Sequence, residues 1–340
     1  MPPIALALHG GCGTLPKQDL PPEEWAEVER HIADALTAGW TILARGGTAL
    51  DAVEATVVVL EDSPHFNAGH GSALNTDAEH ELDAAIMDGA MLRAGAVCAA
   101  RHIRNPVQAA RRLLEAGDVV LLTGPAADAF ARAAGLAMVA PSYFTTERRL
   151  RNLQQMKARA AAGTAAAASE AEKHGTVGAV ALDRAGNLAA ATSTGGYTNK
   201  PAGRVGDSPL IGAGTYARNG VCAVSGTGKG ELFIRHVAGH EVASLVAYKG
   251  LSLAEAARTV VFDRIGGDGL GAGMVAVDAH GNIAAPFNTA GMCRGWVLPS
   301  GELHVATHEE VVCVARLDGG GAAGPPLGAN TGARSAKVLQ

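Results

Sequence analysis

Thr176 follows a glycine and opens an apolar stretch, "GTVGAVALD". Before it runs "ARAAAGTAAAASEAE", which has almost nothing to bury. A threonine hydroxyl is a poor nucleophile without a base. A free α-amine on the same residue can be that base, because its pKa lies near about 8 and it stands beside its own Oγ. The amine is free only if the Gly175–Thr176 peptide bond is cut. Gly175 has no side chain to obstruct attack on its carbonyl, and a flexible spacer over 158–175 lets the new chain end withdraw. The competing reading is a plain linker before a strand. A second pair lies in "GRVGDSPLIGAG" (203–214), where Arg204 and Asp207 share a glycine-rich loop. Arginine takes a carboxylate through two parallel hydrogen bonds and aspartate takes an ammonium, so together they can grip an amino acid's α-groups. Alone, they read equally as a surface ion pair. Small hydroxyls are dense in the same half: Thr176, Thr192, Ser193, Thr194, Thr198, Ser225 and Thr227. One such threonine is ordinary strand or turn chemistry; the set beside the spacer is not.

Other chemistries lack their residues. There is no GxSxG elbow, no Walker loop and no HExxH. "HVAGH" (236–240) spaces two histidines by one helical turn without the glutamate of a zinc protease. "GTGKGE" (226–231) lacks the spacing of a phosphate loop, although a glycine-rich backbone opening a helix can hold an anion or oxyanion. The 340 residues carry a net charge of −5, which argues against nucleic acid or an anionic membrane as partner. The most basic stretch, "ERRLRNLQQMKARA" (147–160), reads as a solvated helix face. Five scattered cysteines without CxxC suit a reducing cytoplasm, and no apolar run reaches membrane-spanning length.

The elements that must position these residues follow from periodicity. "PIALALHGGCG" reads as a buried strand running into a glycine turn. "PPEEWAEVERHIADALTAGWTILARGG" and the Thr48-capped "TALDAVEATVVVLEDS" read as helices. "ELDAAIMDGAMLRAGAVCAA" breaks at Gly89 like two paired strands. "NPVQAARRLLEAG" and "PAADAFARAAG" are helices around the short strand "VVLLTG", and a polar helix starts near Thr145. "GAVALDRAGNLAA" (178–190) and "GMVAVDAHGNIAA" (273–285) resemble each other and read as hairpins with Gly at the turn. Helices are expected at 230–247 and 252–265. The tail from 318 to 340 has no periodic hydrophobicity and reads as disordered. Continuous apolar strands and paired helices predict a layered α/β sandwich in which both halves share one core.

The ordered segments "HGGCGT", "FNAGHGS", "ELDAAIMDG", "HGTVGAVALD", "TSTGGYTNKPAGRVGDSPLIGAGTYA", "SGTGKGELFIR" and "PFNTAGMCRGW" resemble the plant-type L-asparaginase / isoaspartyl peptidase family of N-terminal-nucleophile hydrolases. The resemblance covers about residues 4–310. It implies a four-layer αββα sandwich formed by one catalytic domain over 1–317, cleaved into an α chain of 1–175 and a β chain of 176–340. Two such heterodimers pair. It implies that Thr176 is the nucleophile, that Thr194 tunes its amine or hydroxyl, and that Thr227 Oγ and the Gly228 N–H form the oxyanion hole. Asn67 lies near the nucleophile. Arg204 takes the substrate α-carboxylate and Asp207 its α-ammonium, with Gly228 and Gly230 completing the substrate site. In "LEDSPHFNAGH", carbonyls of Leu60, Glu61, Ser63, Phe66, Ala68 and His70 would hold a structural Na⁺; no cofactor serves catalysis. The substrates implied are asparagine and β-aspartyl dipeptides. Cys12 and Lys229 depart from the familiar pattern, and Lys229 is expected to alter leaving-group preference. The alternatives are a glycosylasparaginase-like amidase and an uncleaved amino-acid-binding homologue.

Overall fold

The first strand shows how this chain packs. β1 (Ala5–Cys12) turns Leu6 and Leu8 toward one apolar cluster and Ala5 and Ala7 toward another. A strand buried on both faces needs apolar side chains in succession, which Ala5–Leu8 supply. The computed structural model describes residues 3–13, 17–164, 175–266 and 271–317. β1 lies within a nine-stranded sheet. Its other strands are β2 (Leu82–Asp88), β3 (Arg93–Ala100), β4 (Leu121–Thr123), β5 (Val177–Leu182), β6 (Leu188–Thr194), β11 (Met292–Val297), β12 (Glu302–Ala306) and β13 (Val311–Arg316). The order is β13-β12-β11-β1-β5-β6-β2-β3-β4. A second sheet holds β7 (Thr215–Arg218), β8 (Cys222–Gly228), β9 (Ala272–Asp278) and β10 (Ile283–Ala284), in the order β10-β9-β8-β7.

Helices α1 (Pro22–Ala44) and α2 (Ala49–Glu61) place Ile32, Leu36, Val53 and Val57 against Leu6, Leu8, Val177 and Ala179 of the large sheet. Thr48 caps α2, its hydroxyl accepting from the Asp51 N–H at 3.1 Å. On the opposite side, Val180 and Leu182 of β5 join Val224 and Val275 of the small sheet. Phe233, Val242 and Leu253 belong to the same cluster. They come from α6 (Gly230–His236), α7 (Ala238–Lys249) and α8 (Leu253–Arg258). A third cluster joins Leu82 and Val97 to α3 (Pro106–Ala116), α4 (Gly124–Ala133) and Phe144. The chain is a mixed α/β protein with large sheets whose apolar faces are covered.

The two similar segments are hairpin turns of one design. Asp183 Oδ1 accepts from the N–H groups of Ala185 and Asn187, both at 2.9 Å. Asp278 Oδ1 accepts from His280 and Asn282 at 2.8 and 2.9 Å. Gly186 and Gly281 take φ of +80° and +82°, which explains the glycine.

Three expectations need correction. The helix expected over 230–247 breaks at Val237, whose φ of +48° separates α6 from α7. The helix expected over 252–265 loosens after Arg258 into a π-helix, Thr259–Ile265. The basic stretch 147–160 lies on α5 (Glu147–Ala161), but it is not a fully solvated face. Arg149 is buried and donates to the Gly71 carbonyl, while Arg148 donates to the carbonyls of Pro64 and His65 at 3.1 and 2.7 Å. Arginine stems pack as apolar chains while the head satisfies loop carbonyls, a use that charge counting does not reveal. α5 also takes in 158–161 of the expected spacer; residues 165–174 and the tail 318–340 lie outside the described residues.

Candidate active site

Sheet register brings the two threonines together. Val177 of β5 stands opposite Ser193 of β6, so the preceding Thr176 meets the following Thr194. The Thr176 hydroxyl donates to Thr194 Oγ1 at 3.1 Å. Thr194 Oγ1 also accepts from the Gly196 N–H at 3.0 Å and donates to the Gly175 carbonyl at 3.2 Å. A second donor reaches that carbonyl: Asn67 Nδ2 at 2.8 Å. Asn67 is held by its own remaining groups. Nδ2 also donates to the Gly196 carbonyl at 2.6 Å, and Oδ1 accepts from the Ala73 N–H at 2.6 Å. The Gly175 carbonyl is therefore polarised by two donors while the Thr176 hydroxyl is hydrogen-bonded next to it. A Cβ on Gly175 would lie 2.9 Å from Asn67 Cβ, so the approach requires glycine.

The irregular glycine stretch near the end of β1 passes against the same bond. A Cβ on Gly11, whose φ is +106°, would come within 3.1 Å of Gly175 Cα and 3.2 Å of Thr176 N. His9, three residues before Cys12, is fully buried. Its Nδ1–H donates to the Thr176 carbonyl at 2.9 Å and its Nε2 accepts from Ser225 Oγ at 3.0 Å. Burial drives its pKa down to about 3, against the opposing pull of the Thr176 carbonyl, so the ring is neutral.

A narrow cavity opens on Thr176. Thr194, Gly196, Tyr197, Arg204, Gly206, Asp207, Ser208 and Gly228 line it too. Asp207 is buried and its Oδ2 has no hydrogen-bond partner. Burial raises its pKa to about 7; nearby Glu231 and Asp83 add to this, and Arg204 opposes it. Oδ2 packs toward Gly214, where a Cβ would lie 2.6 Å from it, and it is left as a buried acceptor without a donor. Arg204 is paired with Glu231 on α6: Nε donates to Oε1 at 3.0 Å, and Nη2 stands 3.0 Å from the same oxygen. Gly230 begins α6, where a Cβ would lie 2.7 Å from both Arg204 Nη2 and Asp207 Oδ1.

Gly228 closes β8 at the cavity wall with φ +139°. Thr227 is fully buried, and its hydroxyl accepts from the Cys12 N–H at 3.2 Å; it lies behind the wall and does not line the cavity. Its neighbour Cys12 donates its thiol to the Thr227 carbonyl at 3.3 Å.

The loop after α2 is drawn closed. The His70 N–H donates to the Glu61 carbonyl at 2.7 Å and the Ser63 N–H to the Leu60 carbonyl at 3.3 Å. Gly69, φ +50°, makes the tight return. The Glu61 carbonyl keeps a second lone pair, and a neutral carbonyl oxygen is the kind of donor that a hard cation of low charge accepts. The Glu61 carboxylate serves elsewhere. It is buried, accepting from Ser193 Oγ at 2.6 Å and the Val107 N–H at 3.0 Å, and burial raises its pKa to about 8 despite these donors.

Residues outside the sequence-based set support it. Lys200 is fully buried and donates to the Glu81 carbonyl at 2.9 Å. The Glu81 carboxylate accepts from the Gly203 N–H at 3.0 and 3.2 Å and from Arg101, fixing the loop that carries Arg204. Charged residues embedded in "ELDAAIMDG" and "GGYTNKPAGR" were the available signal for this support.

Sequence comparisons show which proteins the chain is similar to. A family model described as asparaginase matches residues 2–307. The isoaspartyl peptidase of Salmonella typhimurium is 47% identical over 296 residues, covering 86% of this chain and 94% of that protein. The isoaspartyl peptidase of Escherichia coli is also 47% identical over 296 residues, covering 86% and 92%. The isoaspartyl peptidase/L-asparaginase of Rattus norvegicus is 43% identical over 291 residues, covering 85% and 84%.

Proposed function

The chain belongs to the asparaginase family, and we propose that it cuts itself at Gly175–Thr176 and then hydrolyses the side-chain amide of asparagine and of β-aspartyl dipeptides. One observation carries the reading: in the uncut chain the Thr176 hydroxyl, Thr194 and a doubly hydrogen-bonded Gly175 carbonyl are already assembled. In the cleavage step, Thr176 Oγ bonds to the Gly175 carbonyl carbon. Thr194 Oγ1 takes the Thr176 proton and passes its own to the Gly175 oxygen, which Asn67 Nδ2 also holds, so the tetrahedral adduct forms neutral. As the C=O re-forms and the C–N bond breaks, that proton goes to nitrogen, giving an ester and a free amine. Water then hydrolyses the ester, restoring the hydroxyl and leaving a Gly175 carboxylate.

In turnover the freed amine accepts the Thr176 proton as Oγ attacks the substrate amide. The aspartyl head is oriented by Arg204 on its α-carboxylate and Asp207 on its α-ammonium. Gly228 N–H and Thr227 Oγ are the oxyanion donors in this reading, each worth about 3 kcal/mol in such sites. For Thr227 this requires its hydroxyl to turn from Cys12 toward the cavity. The protonated amine delivers its proton to the leaving group, ammonia or an amino acid. Water then releases aspartate from the acyl-enzyme. Gly230 bounds the head at the start of α6. Bound to the six loop carbonyls from Leu60 to His70, Na⁺ would brace the turn that presents Asn67 and take no part in bond breaking. The packing of two sheets between two sets of helices supports a four-layer αββα arrangement within one domain. Self-pairing into a dimer of cleaved heterodimers and a cytoplasmic place complete the reading.

The test is intact mass under denaturing conditions after incubation at neutral pH, with Thr176→Ala as control. Two fragments dividing at Gly175–Thr176, absent from the control, are expected. They should appear together with aspartate release from both substrates. A wild-type chain that stays whole yet turns over asparagine refutes the mechanism.

A further inference from the structure

Lys229 follows the candidate oxyanion glycine and precedes α6, and the chemistry above gives it no task. Its Nζ lies 3.2 Å from Glu231 Oε2 and 4.9 Å from the centroid of the Tyr197 ring. Arg204 meets the same two groups. Its Nη2 stands 3.0 Å from Glu231 Oε1, and its Cζ stands 4.8 Å from the same ring centroid. One carboxylate is divided between two cations, one oxygen each, and one aromatic ring serves both.

The division has two consequences. Glu231 closes the Nε–Nη2 edge of Arg204. Nη1 points toward Gly206, where a Cβ would come within 2.7 Å of it, and Gly206 lines the cavity that holds Thr176. A carboxylate entering the cavity is thereby directed to the Nη1 end. The second consequence is one of charge. Arg204 with Glu231 alone is a neutral pair, and Glu231 would repel an incoming carboxylate at nearly the range at which Arg204 attracts it. Lys229 returns these three side chains to a net positive charge, with Asp207 beside them for the ammonium. The Arg204 side chain is 14% exposed, while Lys229 and Glu231 are 29% and 42% exposed, so salt reaches the pair that Lys229 makes and screens it.

We propose that Lys229 is a positioning residue for substrate recognition: by holding Glu231 Oε2, it leaves Arg204 with an uncompensated charge aimed at the α-carboxylate of the aspartyl head. The proposal rests on the reading of Arg204 as the α-carboxylate receptor. Asparagine and β-aspartyl dipeptides share that head. Lys229 therefore acts on the KM of both alike, in contrast to the sequence-based expectation of an effect on leaving-group preference.

The experiment is steady-state kinetics of the cleaved enzyme on asparagine and β-aspartyl-leucine at low and high ionic strength. The variants are Lys229→Met, Lys229→Arg and Arg204→Gln. Lys229→Met should raise KM about fivefold for both substrates at low salt with kcat kept, a loss of ground-state binding. Lys229→Arg should restore KM, and the gap should narrow at high salt. An unchanged KM in Lys229→Met beside a raised KM in Arg204→Gln overturns the proposal and leaves the reading of Arg204 standing. An unchanged KM in Arg204→Gln removes that reading itself. A changed ratio of kcat/KM between the two substrates overturns the proposal in favour of a leaving-group contact.

Discussion

Asp207 gives the sharpest pH prediction. Its carboxylate must be ionised to hold an ammonium, yet burial raises its pKa from 3.8 to about 7 in the empty site. With that value the ionised fraction is about nine-tenths at pH 8 and about one-hundredth at pH 5, so kcat/KM for asparagine should fall about 90-fold from this group alone. The Thr176 amine also titrates, but it serves every substrate. Succinamate lacks the α-ammonium and has no use for the Asp207 charge. The ratio of kcat/KM for asparagine to that for succinamate therefore isolates Asp207, and it should rise from pH 5 to pH 8 with a midpoint near about 7. Stability runs the other way. Between pH 4 and pH 7 the folded state keeps a proton that the unfolded state has lost, so this group makes the empty enzyme less stable as pH rises. The shift corresponds to about 4 kcal/mol at full ionisation. Asp207→Asn should accordingly be more stable than the wild type at pH 8, by up to about 4 kcal/mol in urea titration, and equal to it near pH 4. Aspartate should stabilise the wild type and not the variant. A substrate ratio that stays flat between pH 5 and pH 8 would refute the reasoning.

Two further substitutions test the close approaches. Gly175→Ala places a methyl 2.9 Å from Asn67 Cβ and should slow self-cleavage about 100-fold by displacing the carbonyl from its donors, with fragment appearance on a denaturing gel as the measure. Gly178→Ala drives a methyl into Ser225 Oγ, with His9 Nε2 at 2.8 Å and the Ala191 carbonyl at 2.9 Å; a loss of about 3 kcal/mol in urea titration is expected.

Local chemistry was readable from the sequence wherever it is local. The Thr48 cap, the Asp183 and Asp278 turns and the doubly buried strands each write their cause into a few neighbouring residues. The pairing of Thr176 with Thr194 is also nearly local, since one hairpin sets it. What could not be read is what depends on distant partners. Arg149 looks like a solvated charge until the Gly71 carbonyl receives it. Val237 looks like a helical residue, yet it is left-handed where the next residues, Gly239 and His240, donate to the distant Ala213 and Gly212 carbonyls. Lys200 looks like a loop lysine, yet it is buried because the Glu81 carbonyl and neighbouring acids receive it. Glu231 shows no role until the fold places it against Arg204. In each case tertiary context decides a side chain whose own propensity is silent.

The same logic explains why a cut beside the nucleophile need not disorganise it. Cleavage at Gly175–Thr176 frees only the amino side of Thr176. Its carboxyl side is held by two strands, since His9 of β1 stands opposite Gly178 and Ser193 of β6 stands opposite Val177. The Thr176 carbonyl is pinned by His9 Nδ1–H, and the neutral ring leaves Nε2 as an acceptor, so Ser225 must donate to it. Ser225 in turn takes a hydrogen bond from Thr192 at 2.7 Å, and Thr192 takes one from Thr215 at 2.7 Å. The Thr215 hydroxyl also reaches the Ser208 carbonyl at 2.9 Å, and the path from Thr215 through Thr192 and Ser225 to His9 alternates between the small sheet and the large one. Because the His9 pKa is near 3, the roles of its two nitrogens do not change between pH 5 and pH 8, the range over which Asp207 titrates. The backbone that would carry the new amine is thus fixed by groups that neither the proposed cut nor the titration of Asp207 touches.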